Sequence, residues 1–268
     1  MQEIAYAKLN LALHVRGREA GGYHRIETIF AFCEDGDRLS VGDADEIGLA
    51  VSGPFGHELS SGEDNLVTRA ARALADLCGL DRGAALTLEK RLPVAAGLGG
   101  GSADAGAALR LLCRWWNVAP PDDALHDLAA GLGADVPACL WSRPARGDGK
   151  GDRLTPWPDD GYAGAPVLLL NPGTPLSTAA VFRGWGGEDL GPLGSLEGSR
   201  NDLEASAVAH VPEIADMLGA LCGARLARMS GSGATCFGVY DSEDLRDAAA
   251  AAIRSAAPHW WQLSTRLR

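Results

Sequence analysis

The residues that most clearly suggest chemistry form a glycine-rich segment, PVAAGLGGGSADAGAAL, at positions 93–109. Glycine occupies positions 97, 99, 100 and 101. An ordered glycine costs roughly 0.5–1 kcal/mol relative to alanine, so such a cluster must bring an advantage. We expect a strand before the glycines and a helix after them, which predicts a phosphate site at the helix amino terminus. A flexible surface turn is the alternative, but a turn rarely needs so many glycines.

The common phosphate loops fit this segment poorly. A Walker A loop requires Gly-Lys-Ser/Thr, and no lysine follows these glycines. A dinucleotide fingerprint requires glycine or alanine where Ser102 stands, and it normally lies in an early βαβ unit. We therefore predict a phosphate loop of another type, to which the hydroxyl of Ser102 contributes at the helix start.

Other candidate residues leave alternatives open. A second glycine cluster, MSGSGATCFGVY at 229–240, is typical of a hairpin turn, although its small residues also suit packing against the first loop or a phosphate. Phosphoryl transfer needs a cation and a group that orients the acceptor hydroxyl. Lys8 lies on a predicted strand, where lysine commonly extends its ammonium to solvent. Asp135, in GLGADVPACL, is either a satisfied turn residue or a carboxylate ready to accept a proton.

The composition is typical of a globular protein. The chain has 268 residues, 46% hydrophobic and 22% charged, and its net charge of −11 argues against a non-specific nucleic-acid binder. No apolar run approaches the roughly 20 residues of a membrane span, and the amino terminus lacks a secretory signal pattern. The six cysteines show no metal-ligand spacing and suit reduced thiols. These features predict a cytoplasmic protein that binds neither nucleic acid nor membranes and has no dedicated metal site.

Periodicity predicts a mixture of strands and helices without a regular alternation, which favours an α+β fold over a doubly wound sheet. Residues 144–165, rich in proline, glycine and aspartate, are the predicted domain boundary. Predicted strands cover residues 7–15, 26–33, 37–41, 84–94 and 167–170, with a turn at 34–36 and a hairpin at 224–240. Predicted helices cover residues 66–79, 102–116, 121–133, about 202–222 and about 243–256.

The chain resembles the GHMP kinase superfamily along nearly its whole length. Its motifs occur in the expected order: AKLNLAL, then PVAAGLGGGSADAGAAL, then MSGSGAT. The segments GGYHRIETIF, EDNLVTRAARAL, GADVP and RND resemble the branch whose substrate is a cytidine-diphosphate-linked methylerythritol, phosphorylated on its 2-hydroxyl in the non-mevalonate route to isoprenoid precursors. The resemblance implies an ATP-dependent small-molecule kinase of two α+β domains, at residues 1–155 and 156–268, with the active site in the cleft between them.

The resemblance also implies roles for individual residues. Lys8 and Asp135 match the catalytic lysine and aspartate, the aspartate accepting the proton of the 2-hydroxyl. The residues that match substrate contacts are Asn10, Tyr23, His24, Thr178 and Phe182, with Tyr23 and Phe182 suited to stack on the cytosine and His24 to hydrogen-bond its edge. The residues that match the ATP site are Asn65, Lys90, Pro93, Val94, Ala95, Ala96, Gly97, Leu98, Gly99, Gly100, Gly101, Ser102 and Ala103.

One position departs from the family pattern, and two alternatives stay open. Many relatives carry two serines after the glycines, whereas Ala103 follows Ser102 here, so serine ligation of the Mg²⁺ that accompanies ATP falls to Ser102 alone. The chain could instead be a homoserine or mevalonate type of kinase, which would not need aromatic residues around a nucleobase. An NAD-binding oxidoreductase is the third possibility, but a convincing acidic ribose ligand is missing.

Overall fold

In the computed structural model, residues 1–19, 21–59, 62, 64–158 and 161–268 are described, and they group into two compact units. The first unit comprises residues 1–7, 35–94 and 99–142, and the second comprises 8–34, 95–98 and 143–268. This grouping differs from the predicted division into domains at residues 1–155 and 156–268. That division stays a prediction. Glu63, in the EDNLVTRAARAL motif, and Asp159 and Asp160, in the predicted boundary, lie outside the described residues.

The first unit packs helices against strands. Two long strands contribute residues to both units. Strands and helices of the first unit, with these two strands included, are β1 (Gln2–Arg18), β2 (His24–Gly42), β3 (Ile47–Ser52), α1 (Leu66–Cys78), β4 (Ala84–Glu89), α2 (Gly100–Trp116), α3 (Asp122–Leu132) and α4 (Val136–Trp141), with a short 3₁₀ helix at Gly56–Glu58. Strand β4 pairs in parallel with β3 and antiparallel with residues 38–42 of β2.

Helix α1 shows why these elements form where they do. The side chain of Asn65 accepts a hydrogen bond from the backbone N–H of Val67 at 2.9 Å and begins the helix, and Gly79 ends it in the left-handed conformation. Residues Val67, Ala70, Ala71 and Leu74 share one face and are buried in the core of this unit with Leu88 of β4 and Leu109 of α2. The predicted bounds are confirmed here.

The predicted turn at residues 34–36 is wrong, because β2 runs without interruption from His24 to Gly42. A Cβ atom on Gly36 would lie 2.6 Å from the carbonyl carbon of Ala5, so no side chain fits there. Gly36 lies inside β2 and lets the backbone of β1 approach it closely. It does not serve to reverse the chain.

The second unit contains an antiparallel sheet in the order β10-β7-β9-β8. Its elements, beside the shared strands, are β5 (Ala145–Gly149), β6 (Arg153–Pro156), β7 (Pro166–Asn171), α5 (Thr178–Gly184), α6 (Glu204–His210), α7 (Glu213–Ala220), β8 (Leu226–Met229), β9 (Cys236–Val239), α8 (Glu243–Ala256) and β10 (Trp261–Arg266). Every residue of β7 is buried, and Leu168 and Leu170 join Leu13 and Ile214 in the core. The predicted strand at 167–170, the hairpin β8–β9 and helix α8 are confirmed.

Other predictions for this unit fail for identifiable reasons. The single helix expected at about 202–222 is two helices, because Pro212 has no N–H to donate and Val211 leaves the helical region. The predicted boundary at 144–165 contains the hairpin β5–β6, and β5 pairs antiparallel with residues 26–30 of β2. Elements β3, α4, α5 and β10 were not predicted. Among the described residues, no helix is both long enough and apolar enough to cross a membrane.

Candidate active site

The predicted phosphate loop leads into the start of α2 in the first unit. The N-cap residue Gly99 is left-handed, with φ of 63°, and it has no side chain with which to cap the helix. The backbone N–H groups of the first turn, at Gly100, Gly101 and Ser102, therefore have no partner within the helix. A helix of 17 residues places the positive end of its dipole there. This geometry suits a phosphate group.

The second glycine cluster packs against residues 95–98, all within the second unit. Gly97 has φ of +77°, and a Cβ atom on it would lie 2.8 Å from the carbonyl oxygen of Gly233. Ser230 donates from its hydroxyl to the carbonyl oxygen of Gly97 at 2.9 Å, and the N–H of Thr235 donates to Ala96 at 3.1 Å. The cluster is thus a hairpin turn and also a support for the first glycine loop.

Lys8 lies inside the second unit rather than at its surface. Lys8 is only 3% exposed. The alternative, in which its ammonium extends to solvent, is therefore wrong. The ammonium donates to Oδ1 of Asn10 at 2.7 Å and lies 5.6 Å from the ring centroid of Phe30. The backbone N–H of Lys8 donates to the carbonyl oxygen of Leu98 at 3.0 Å, which ties the lysine to the glycine loop.

Asn10 connects Lys8 to a residue that sequence reasoning missed. Its Nδ2 donates to Oγ1 of Thr28 at 2.8 Å, and that hydroxyl donates to the carbonyl oxygen of Ala12 at 2.6 Å. We call Lys8, Asn10 and Thr28 the Lys8 network. Thr28 carries no motif signal of its own. The hint in the sequence is that Thr28 alternates with the apolar residues Ile26 and Phe30 in the GGYHRIETIF segment.

Lys90 lies in a different environment, in the first unit. It is 1% exposed, and its ammonium pairs with the carboxylates of Asp37 and, at 2.8 Å, Asp104. We call these residues the Lys90 triad. Asp37 also accepts the backbone N–H groups of Arg91 and Leu92. A Cβ atom on Gly100 would lie 3.3 Å from the lysine nitrogen, so the triad lies directly beneath the start of α2.

The charges of the triad shift its titration. Burial lowers the pKa of Lys90, but attraction to the two carboxylates outweighs burial, and the pKa is raised. Burial raises the pKa of Asp104 to about 7, against the opposing effect of Lys90 and with a further contribution from Asp37. Oδ1 of Asp104 is buried without a hydrogen-bond partner in the described part of the chain. Burial first, and then the nearby carboxylate of Asp37, explain why Asp104 favours its proton.

Two further predicted residues lie at helix starts in the first unit. Asn65 caps α1, and the neighbouring Leu66 would contact a Cβ atom on Gly101 at 3.4 Å, so the starts of α1 and α2 are adjacent. Asp135 precedes α4 and accepts the N–H of Cys139 on its backbone oxygen, while its carboxylate does not cap that helix. Helix α4 is held by Arg110 of α2, which donates to the carbonyl oxygen of Cys139 at 2.6 Å.

Aromatic side chains of the second unit gather around His24. Its ring centroid lies 4.9 Å from that of Phe182 and 5.7 Å from that of Trp185, the second contact being edge-on. Burial and then the charge of Arg18 lower the pKa of His24, which favours the neutral ring. Its Nε2 is buried without a partner among the described residues. A neutral imidazole with an unsatisfied nitrogen can donate to or accept from a ligand.

The remaining substrate residues are also in the second unit. Tyr23 is 57% exposed, and the ammonium of Lys150 lies 4.0 Å from its ring centroid. The hydroxyls of Thr178 and Ser232 are 2.9 Å apart. Sequence reasoning missed Trp185, Arg18 and Lys150, which none of the motifs includes. Within this unit the structure therefore brings His24 and Phe182 together, as it does Lys8 and Asn10.

Comparison with known proteins places this geometry in context. Residues 65–143 match the family model described as GHMP kinases N terminal domain, and residues 179–259 match GHMP kinases C terminal. A protein of Rhizorhabdus wittichii named 4-diphosphocytidyl-2-C-methyl-D-erythritol kinase is 52% identical over 278 residues, covering 99% of this chain and 94% of its own.

Solved structures agree with the family models. A crystal structure of 4-(cytidine 5'-diphospho)-2C-methyl-D-erythritol kinase is 35% identical with a TM-score of 0.83, covering 100% of this chain and 99% of that one. The mevalonate kinase of Methanococcus jannaschii has a TM-score of 0.71 at 9% identity, covering 100% and 98% of the two chains, and shows similarity of fold only. The predicted two-domain α+β kinase fold is confirmed.

Proposed function

Because this chain belongs to the GHMP kinase superfamily, we propose that it transfers the γ-phosphoryl group of ATP to the 2-hydroxyl of 4-diphosphocytidyl-2-C-methyl-D-erythritol. The products are the 2-phosphate and ADP, and the reaction serves non-mevalonate isoprenoid precursor biosynthesis. The chain is an ATP-dependent small-molecule kinase. The observation that carries the choice of substrate is the similarity over nearly the whole of both chains to the Rhizorhabdus wittichii protein of that name.

The ATP phosphates are assigned to residues 93–103. The N–H groups at the start of α2 supply donors, and the left-handed Gly99 leaves space where a side chain would otherwise stand. The hydroxyl of Ser102 is the proposed protein ligand of Mg²⁺, an ion that offsets phosphate charge when bound. Lys90 is assigned to the nucleotide side through the loop that it supports, because its ammonium is already held by Asp37 and Asp104.

Catalysis is assigned to Asp135 and Lys8. The Asp135 carboxylate accepts the proton of the 2-hydroxyl as that oxygen bonds to the γ-phosphorus and the bond from phosphorus to the leaving oxygen of ADP breaks. The Lys8 ammonium stabilises the negative charge that develops on the transferring group. Asn10, which is also assigned to the substrate site, supports this role by holding the ammonium at 2.7 Å.

Substrate recognition is assigned to the aromatic residues of the second unit. Tyr23 and Phe182 offer ring faces to the cytosine, and the neutral His24 offers a hydrogen bond to its edge. Thr178 contributes a hydroxyl beside Ser232. We further propose that the enzyme works in the cytoplasm and binds neither nucleic acid nor membranes. The net charge of −11 supports the proposal that it does not bind nucleic acid.

A coupled assay of ADP release tests the proposal. The cytidylated alcohol, mevalonate and homoserine are each offered with ATP, and we expect turnover with the cytidylated alcohol. Turnover with only mevalonate or homoserine would overturn the assignment. The variant Phe182→Ala supplies a control. Loss of one stacking face should weaken binding of the cytidylated alcohol by about 1–3 kcal/mol and leave the KM for ATP unchanged.

A further inference from the structure

The hydroxyl of Thr28 has one proton, and the structure shows where it goes. Thr28 is fully buried on β2, and its Oγ1 lies 2.6 Å from the carbonyl oxygen of Ala12. A carbonyl oxygen can only accept, so the hydroxyl must donate to Ala12. Its oxygen is then left as an acceptor toward Asn10, whose amide lies 2.8 Å away.

This acceptor fixes which way the Asn10 amide faces. An amide group has a donor end and an acceptor end, and only the donor Nδ2 can meet the acceptor oxygen of Thr28. The other end, Oδ1, therefore faces the Lys8 ammonium at 2.7 Å. In the opposite orientation, two sets of N–H donors would meet at Lys8, and the Thr28 oxygen would face another acceptor.

We propose that Thr28 is a positioning residue for phosphoryl transfer, which acts by setting the orientation of the Asn10 amide and so the place of the Lys8 ammonium. The inference rests on the proposed function, because it assumes that Lys8 acts on the transferring group. Thr28 contacts neither nucleotide nor substrate in this account. Its effect therefore falls on kcat and leaves the KM for ATP unchanged, while the KM for the alcohol can change through Asn10.

The test compares Thr28→Val with Thr28→Ser. Valine has the same shape but has no hydroxyl, whereas serine keeps the hydroxyl. We expect kcat to fall about 10- to 100-fold in Thr28→Val, the size of effect that small misplacements of catalytic groups produce, with the KM for ATP little changed. Thr28→Ser should restore most of the wild-type kcat. A folded Thr28→Val enzyme with wild-type kcat would overturn the proposal.

Ser199 provides a matched control in the same unit. Its hydroxyl donates to the carbonyl oxygen of Leu196 at 2.6 Å and accepts from Arg228 at 2.7 Å. Like the Thr28 hydroxyl, it donates to a carbonyl and accepts from a side chain, but that side chain is not Asn10. Ser199→Ala should lower the melting temperature, as Thr28→Val does, but leave kcat unchanged. If Ser199→Ala lowers kcat as much as Thr28→Val, the effect is one of general stability, and the proposal fails.

A second measurement serves if Thr28→Val alone does not fold. Replacing both partners of a buried hydrogen bond by apolar groups is often nearly neutral in stability, so Thr28→Val is made in an Asn10→Leu background. Since Thr28 acts through Asn10, adding Thr28→Val should change kcat less than about twofold there. A further drop as large as expected in the wild-type background would overturn the proposal. Turnover of the wild-type enzyme, measured first, reports on the proposed function separately.

Discussion

Two buried lysines, one in each unit, have different partners within their own units. The Lys8 ammonium meets the amide oxygen of Asn10 and the ring of Phe30, whereas the Lys90 ammonium meets the carboxylates of Asp37 and Asp104. Within its own unit, Lys8 is oriented by a neutral amide, whereas Lys90 is paired with two acidic side chains. We propose different roles for the two lysines: Lys8 acts on the transferring group, and Lys90 supports the phosphate loop.

The largest effect on turnover should come from the catalytic residues. Lys8→Met should lower kcat by about 10²–10³-fold, and Asp135→Asn by about 10²–10⁴-fold, because each removes a group that acts on the transferring atoms. The double variant should be little worse than the poorer single one. Steady-state kinetics with both substrates measures this. An Asp135→Asn enzyme with normal turnover would return that residue to a structural role.

The largest effect on stability should come from the other lysine. Lys90→Met leaves the carboxylates of Asp37 and Asp104 buried without their ammonium, which should reduce the free energy of unfolding by about 3–5 kcal/mol. Urea denaturation of Lys90→Met and of the wild type at pH 7 measures the loss. A Lys90→Met variant as stable as the wild type would mean that the two acidic side chains do not need the ammonium.

A smaller loss is expected when one carboxylate of the triad is neutralised. Asp37→Asn keeps one oxygen for the backbone N–H groups of Arg91 and Leu92 but removes the charge that attracts Lys90. The pairing of Lys90 with Asp104 remains, so we expect a loss of about 1–3 kcal/mol, between those of Lys90→Met and Asp104→Asn. The same denaturation series ranks the three. Asp37→Asn as stable as wild type would mean that Asp104 alone secures Lys90.

The smallest effect, Asp104→Asn, should depend on pH. In the wild type, the native pKa of Asp104 is about 7 and lies above its unfolded value of 3.8, so the native state binds the proton more tightly. The stability that this gives is complete below pH 3.8 and is lost as pH rises through 7. Asp104→Asn cannot ionise, so it should gain stability relative to wild type as pH rises from about 4 to about 7, and the difference should level off above pH 7. A difference in melting temperature that is constant from pH 5 to 8 would contradict this.

How far the sequence could foresee these features depends on how local their causes are. The caps of α1 at Asn65 and Gly79 are local, and they were predicted correctly. The break at Pro212 is equally local, since a proline inside a helical pattern ends the helix, and the single helix predicted at about 202–222 does not account for it. By contrast, Lys90 meets Asp37 across 53 positions of sequence, and Asn10 meets Thr28 only because β1 and β2 pair in one register. No motif encodes such a register.

The central claim is the position of the transferred phosphoryl group, and the product reports it directly. Carbon 2 of the methylerythritol carries a methyl group and the hydroxyl but no hydrogen. After turnover with ATP, proton-coupled phosphorus NMR should therefore show a new phosphomonoester signal that is a singlet, beside the resonances of ADP. A triplet from a phosphorylated CH₂ group, a doublet from a CH group, or the absence of any new phosphomonoester would contradict the account.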